Sequence, residues 1–104
     1  MKHHKILLLL ANGFEILEAS AFIDVMGWNL EEGDKSTKLY SCGLRKQLNS
    51  AFDQQFTVDY IIKEVDIDSF DALVVPGGFK NCGYYNDAYS EEFLNIIRGF
   101  YSQN

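Results

Sequence analysis

Glu15 and Glu18 stand three residues apart, directly after an apolar run ending at Ala11 and an Asn12-Gly13 turn. That spacing places both on one face of a helix near its N-terminus. Open α/β sheets bind ligands in the crevice beyond the carboxyl ends of their strands. A carboxylate held there can act as a general acid or base. The plainer role for a glutamate in a first turn is a solvated charge favoured by the helix dipole. The dipole accounts for Glu15 fully, so Glu18 is the stronger candidate.

Gly77 and Gly78 follow a second apolar run and the single proline of the chain, Pro76. Successive amides in a turn at a strand end can converge on an anion, as an oxyanion hole or nest does. The same pair also makes an ordinary tight turn. Cys42 falls inside an expected strand and Cys82 in a loop beside Gly83. A catalytic thiol needs a base and usually a helix N-terminus. The only histidines, His3 and His4, lie at the opposite end of the first strand. Neither cysteine reads as a nucleophile, and their spacing is not that of a metal site. Spaced glycines for a dinucleotide or phosphate loop are missing from the first turn, which carries Gly13 alone. No cofactor and no metal are expected.

These groups need a scaffold. A length of 104 residues allows one domain at most, small for an α/β fold covered on both faces. Apolar residues make up 47% and aromatics 14%, enough for a packed core. The net charge of −6 with scattered basic residues argues against nucleic acid or an anionic membrane as partner. Two unclustered cysteines suit reduced thiols in the cytoplasm. The basic start Met1-Lys2-His3-His4-Lys5 resembles a secretory leader, but the apolar run at 6–11 leads into Asn-Gly-Phe-Glu rather than a cleavage site. It is also too short to cross a bilayer.

Residues 5–11 read as a strand buried on both faces. Helical periodicity follows over 15–28, with Ile16, Ala19, Ile23 and Met26 in one stripe and Phe22 and Val25 beside it. A loop at 31–36 leads to a second strand at 37–42. Leu48, Ser50 and Phe52, then Phe56, Val58, Tyr60 and Ile62, alternate around a polar turn. That pattern predicts a hairpin at a sheet edge. Residues 71–76 form another apolar strand, 80–89 a Tyr-rich loop whose rings pack rather than bind ligand. Ser90 caps a last helix that carries Glu91 and Glu92 in its first turn. Phe93, Ile96, Ile97, Phe100 and Tyr101 form its apolar face. The order is βα, β, hairpin, βα.

Taken together, these residues resemble the ThiJ/PfpI superfamily, which includes the Parkinson-associated protein deglycase. Residues 9–15 with Glu18 are similar to its first-strand motif, and 71–79 (Asp-Ala-Leu-Val-Val-Pro-Gly-Gly-Phe) to its strand-and-turn. Asp24 and Asp59 also match its pattern, while Ile16-Leu17 stand where many members carry a further acidic residue. The resemblance implies a flavodoxin-like, doubly wound, mostly parallel sheet with an antiparallel edge hairpin. It implies that Glu18 hydrogen-bonds a reactive cysteine on a strand-to-helix elbow, and that the Gly77-Gly78 turn, chiefly the Gly78 amide, forms the oxyanion pocket. Family activities include glyoxalase-type conversion, deglycation, amidase or protease chemistry, chaperoning and stress response. Some bacterial members are labelled thiazole monophosphate biosynthesis enzymes. A small carbonyl or amide substrate and a homodimer are implied.

In the family, the elbow cysteine follows the helix that residues 90–101 match. The expectation is therefore that residues 1–104 are the N-terminal portion of a single such domain, with the C-terminal part of the fold absent and supplied by a complementing segment. The alternative is a short, non-enzymatic binding module. On the first reading, strands 5–11 and 71–76 are adjacent and parallel, Gly13 and Gly77 share one sheet end, and the far edge of strand 71–76 is vacant.

Overall fold

The computed structural model describes residues 3–102. Met1 and Lys2, read above as part of a basic start, and Gln103 and Asn104 at the chain end lie outside the described residues. Strand β1 (His4–Leu9) pairs in parallel with β2 (Thr37–Gly43) on one side and with β6 (Ala72–Val74) on the other. β5 (Tyr60–Ile61) extends the sheet beyond β2, giving the order β5-β2-β1-β6. Helix α1 (Ile16–Glu32) follows β1, and α2 (Tyr84–Ala88) and α3 (Glu91–Ser102) follow β6.

β1 is the common wall of two cores. Leu7, Leu8, Leu9 and Leu10 are each 0% exposed. Because side chains alternate across a strand, Leu7 and Leu9 join Phe70, Tyr84, Phe93 and Ile96 on one face. Leu8 and Leu10 join Phe14, Ala19, Leu48 and Val58 on the other. Complete burial of each leucine contributes about 1.5–3 kcal/mol, which explains an uninterrupted apolar run rather than alternation.

The hairpin is present but is a two-stranded sheet of its own, β3 (Gln47–Asn49) against β4 (Gln55–Thr57). Phe56 and Val58 belong with it, whereas Tyr60 and Ile61 leave to pair with β2. Asp59 makes the break. Its carboxylate accepts from the Ser41 amide at 2.9 Å and hydroxyl at 3.2 Å, and its own N–H donates to the Ser41 hydroxyl at 2.9 Å. Side-chain bonding to backbone competes with the ladder at that point.

Ser90 caps α3 through its hydroxyl, which accepts from the Phe93 N–H at 3.2 Å. Phe93 and Ile96 are buried, and Ile97 and Phe100 pack against them. Tyr101, expected on that face, is 84% exposed. Eight positions turn a helix about 80° away from Phe93, and Phe100 takes the seat instead. α1 differs more. Of its apolar stripe only Ala19 is buried, and Leu17, Val25 and Trp28 are more than half exposed. The far side of β6 has no strand partner among the described residues.

The α1–β2 connection is held by Asp34, whose carboxylate accepts from Ser36, Thr37 and Asn29. The Ser36 amide and the Thr37 hydroxyl are the main reasons its pKa falls from 3.8 to about 2. A carboxylate with a depressed folded-state pKa stabilises above its unfolded value and ceases to do so as pH falls through the folded one. Thermal melts of the protein and of Asp34→Asn should therefore differ at neutral pH and converge between pH 3.8 and about 2. A constant difference across that window would remove Asp34 from the account.

Candidate functional site

The turns after β1 and β6 meet backbone to backbone. Phe14 and Gly78 form an antiparallel bridge, closed by Glu15 N–H to Gly77 O at 2.8 Å and Phe79 N–H to Gly13 O at 3.2 Å. Gly13 sits at φ +76°. A Cβ there would lie 2.8 Å from the Cys82 Cβ and 2.7 Å from its carbonyl oxygen. At Gly78 a Cβ would lie 2.5 Å from the Gly13 oxygen and collide with the Tyr84 ring. Both positions require glycine, since only glycine permits such approach.

Glu18 lies in the first turn of α1, and its Oε1 accepts from the Gly77 N–H at 2.8 Å. The structure thus joins Glu18, Gly77 and Gly78, which are 59 residues apart in sequence at the Glu18–Gly77 contact. Glu15 is not on that turn. It is the residue before the helix, with extended backbone at φ −79° and ψ 111°, and only its backbone takes part, the amide donating to Gly77 O and the carbonyl accepting from Ala19 N–H at 3.1 Å. The Gly77 amide and carbonyl are both engaged. Among the described residues no group accepts from the Gly78 N–H.

The segment after Gly78, expected as a loop, winds into a 3₁₀ turn (Lys80–Cys82) and α2, joined through Gly83 at φ +81°. Tyr84 is buried, and its hydroxyl donates to the Pro76 carbonyl at 2.7 Å. Burial first, then the charge of Glu18, raises its pKa above the usual 10.0. Tyr85 and Tyr89 stack on one another at 5.0 Å at the surface. Asp24 is exposed on α1, away from the bonds of the site.

Sequence reasoning missed a second set of residues. Asp87 is buried and takes both guanidinium nitrogens of Arg45, at 2.8 and 2.9 Å. It also accepts from the Asn12 N–H at 2.9 Å. The Asn12 side chain accepts from the Asn49 amide at 3.1 Å, and the Asn49 carbonyl accepts from Gly13 N–H at 2.7 Å. This clasp fixes the turn that carries Gly13. Hydrogen bonding to Asp87 raises the Arg45 pKa and keeps it charged. No spacing rule links residues 42 positions apart.

Neither thiol bonds the Glu18 carboxylate. Cys42 is 0% exposed within β2, and burial pushes its pKa up to about 12. Cys82 is exposed and donates to the Ala51 carbonyl at 3.0 Å. Among the described residues no group of His, Cys, Asp or Glu is placed to hold a metal ion, and no helix is long and apolar enough to cross a membrane.

A family model for the DJ-1/PfpI family matches residues 4–104. The chain belongs to the DJ-1/PfpI family. Solved structures with the same fold include Toxoplasma gondii DJ-1 in oxidised form, with a TM-score of 0.75 at 18% identity. It aligns over 96% of this chain and 51% of that one. Drosophila melanogaster DJ-1beta gives a TM-score of 0.73 at 24% identity, over 93% of this chain and 49% of that one. A DJ-1 superfamily protein of Salmonella typhimurium, STM1931, gives 0.73 at 25% identity, over 99% and 51%. No curated protein matches the sequence. The chain spans about half the length of the DJ-1/PfpI structures it matches.

Arg45→Met strands a buried carboxylate and should cost about 3 kcal/mol. Asp87→Asn removes the buried charge and leaves a half-exposed guanidinium to water, so it should cost less, about 1–2 kcal/mol. Urea titrations decide, and the reverse order would refute the clasp. In native protein, iodoacetamide at mildly alkaline pH should label Cys82 and spare Cys42, read by peptide mass. Equal labelling would contradict the burial of Cys42.

Proposed function

We propose that this chain carries the carboxylate and oxyanion half of a cysteine-dependent DJ-1/PfpI enzyme acting on a small carbonyl or amide compound, of glyoxalase, deglycase or amidase type. The observation that carries the reading is the Glu18 Oε1 contact with the Gly77 amide at 2.8 Å beside the unengaged Gly78 N–H. One oxygen of Glu18 is thereby anchored and the other is left for a proton. In the proposed reaction a thiol outside these residues adds to the substrate carbonyl carbon. The thiol proton passes to Glu18, a C–S bond forms, and the carbonyl oxygen takes the negative charge facing the Gly78 N–H. For an amide, Glu18 returns the proton to the leaving nitrogen as the C–N bond breaks; for a 2-oxoaldehyde it protonates the adduct oxygen, and the adduct becomes a thioester by moving its C–H proton to the neighbouring carbon. Water then cleaves the C–S bond in both cases, releasing the acid and restoring the thiol. No cofactor is needed in this scheme, and the thiazole monophosphate label of some relatives is not required by it.

The complementing C-terminal part of the domain belongs to the same proposal, because among the described residues β6 has an open edge and α1 an exposed apolar face. Homodimer formation and a cytoplasmic setting are carried over from the family resemblance. The second reading is a non-enzymatic binding or chaperone-like module of stress response. It is favoured by the same exposed apolar side chains on α1, Leu17, Val25 and Trp28.

Turnover of 2-oxoaldehydes and of small amides by the full-length polypeptide tests the enzymatic reading. Glu18→Leu should lower kcat about 10²–10⁴-fold, the usual contribution of a positioned acid–base. Glu15→Leu should change it little, because only the Glu15 backbone is engaged. Equal losses from both variants, or none from Glu18→Leu, would leave the binding module.

A further inference from the structure

The Pro76 carbonyl and the Gly77 N–H are the two polar groups of one planar peptide unit, and they point in opposite directions. Each is gripped by a side chain from a different helix. The Tyr84 hydroxyl of α2 donates to the carbonyl at 2.7 Å, and Glu18 Oε1 of α1 accepts from the amide at 2.8 Å. We infer that Tyr84 is a positioning residue, whose hydroxyl sets the orientation of the 76–77 peptide and so keeps the Gly77 N–H aimed at the Glu18 carboxylate. This rests on the reading of Glu18 and Gly78 given above.

The two grips are unequal. The tyrosine bond is buried, so no water replaces it when it is lost. The carboxylate bond is exposed and competes with solvent. Gly77 offers little resistance to rotation of that peptide, because glycine tolerates conformations other residues resist. Rotation would turn the Pro76 carbonyl toward the Glu18 carboxylate and the Gly77 N–H away from it. The buried phenol prevents this, and its raised pKa keeps it a neutral donor. The ring has a separate task, filling the space beside Gly78 where a Cβ would stand. Tyr84→Phe removes the hydroxyl and retains the ring, so it separates positioning from packing.

The test uses isotope-labelled full-length protein and NMR of the Gly77 amide. In Tyr84→Phe the Gly77 amide proton should move toward the shift of a solvent-bonded amide, and Gly77 hydrogen exchange should accelerate about tenfold, the effect of one ordinary hydrogen bond. An unchanged Gly77 amide shift and exchange rate would overturn the inference. Glu18→Leu supplies the second arm and does not depend on Tyr84→Phe folding. Tyr84 should hold the peptide without the carboxylate, leaving the residual dipolar coupling of the Gly77 N–H, which reports its direction, in place. A Gly77 coupling displaced by Glu18→Leu would show that the carboxylate, not the phenol, sets the peptide. Neither arm measures turnover, so the inference can fail while the enzymatic reading stands, and the reverse.

Discussion

Two turns far apart in sequence touch through their backbones at Gly13 and Gly78, and the site depends on that approach. Parallel pairing of β1 with β6 delivers both turns to the same sheet end. The bridge between Phe14 and Gly78 then locks them. Because neither glycine has room for a side chain, the contact is intolerant of substitution in a way that ordinary apolar packing is not. The Arg45–Asp87–Asn12 clasp steadies one turn from the hairpin side, and Tyr84 steadies the other from α2. Glu18 is placed by the first turn of the helix that springs from this junction.

The parts legible in sequence were those with a local physical signature. Leu7 to Leu10 announced a strand buried on both faces because nothing polar interrupts them. Ser90 announced a helix start, and the type and position of Glu18 and of the Gly77-Gly78 turn marked them as candidates, which the fold brings together. What stayed hidden was set by contacts across the fold. Asp87 reads as a polar loop residue until burial and Arg45 give it meaning. Tyr84 reads as packing, and only its buried hydroxyl bond to Pro76 sets it apart from Tyr85 and Tyr89. The break at Asp59 was missed because Phe56 to Ile62 alternate evenly, and period-two patterning cannot show which partner strand each half will choose.

The two layers divide the labour. The face holding Phe93, Ile96 and Phe70 is covered by α3 and the 3₁₀ turns before β6. The face holding Phe14, Leu48 and Val58 is covered by the hairpin and by the single buried residue of α1, Ala19. The site lies at the rim between these layers, where backbone amides remain available because regular pairing has ended.

The central place of β1 has a consequence for synthesis on the ribosome. Ile6 pairs with Ala72, so β1 must wait for a partner made 66 residues later. At 5–20 residues per second that is roughly 3–13 s. Until Gly43 is made the leucine run lacks even β2, and throughout the interval it lacks β6 and α3. Nascent chains are most vulnerable to association while such a run is uncovered, so chaperone demand should concentrate in the window before Val74 emerges, and a slowing of translation there would lengthen it.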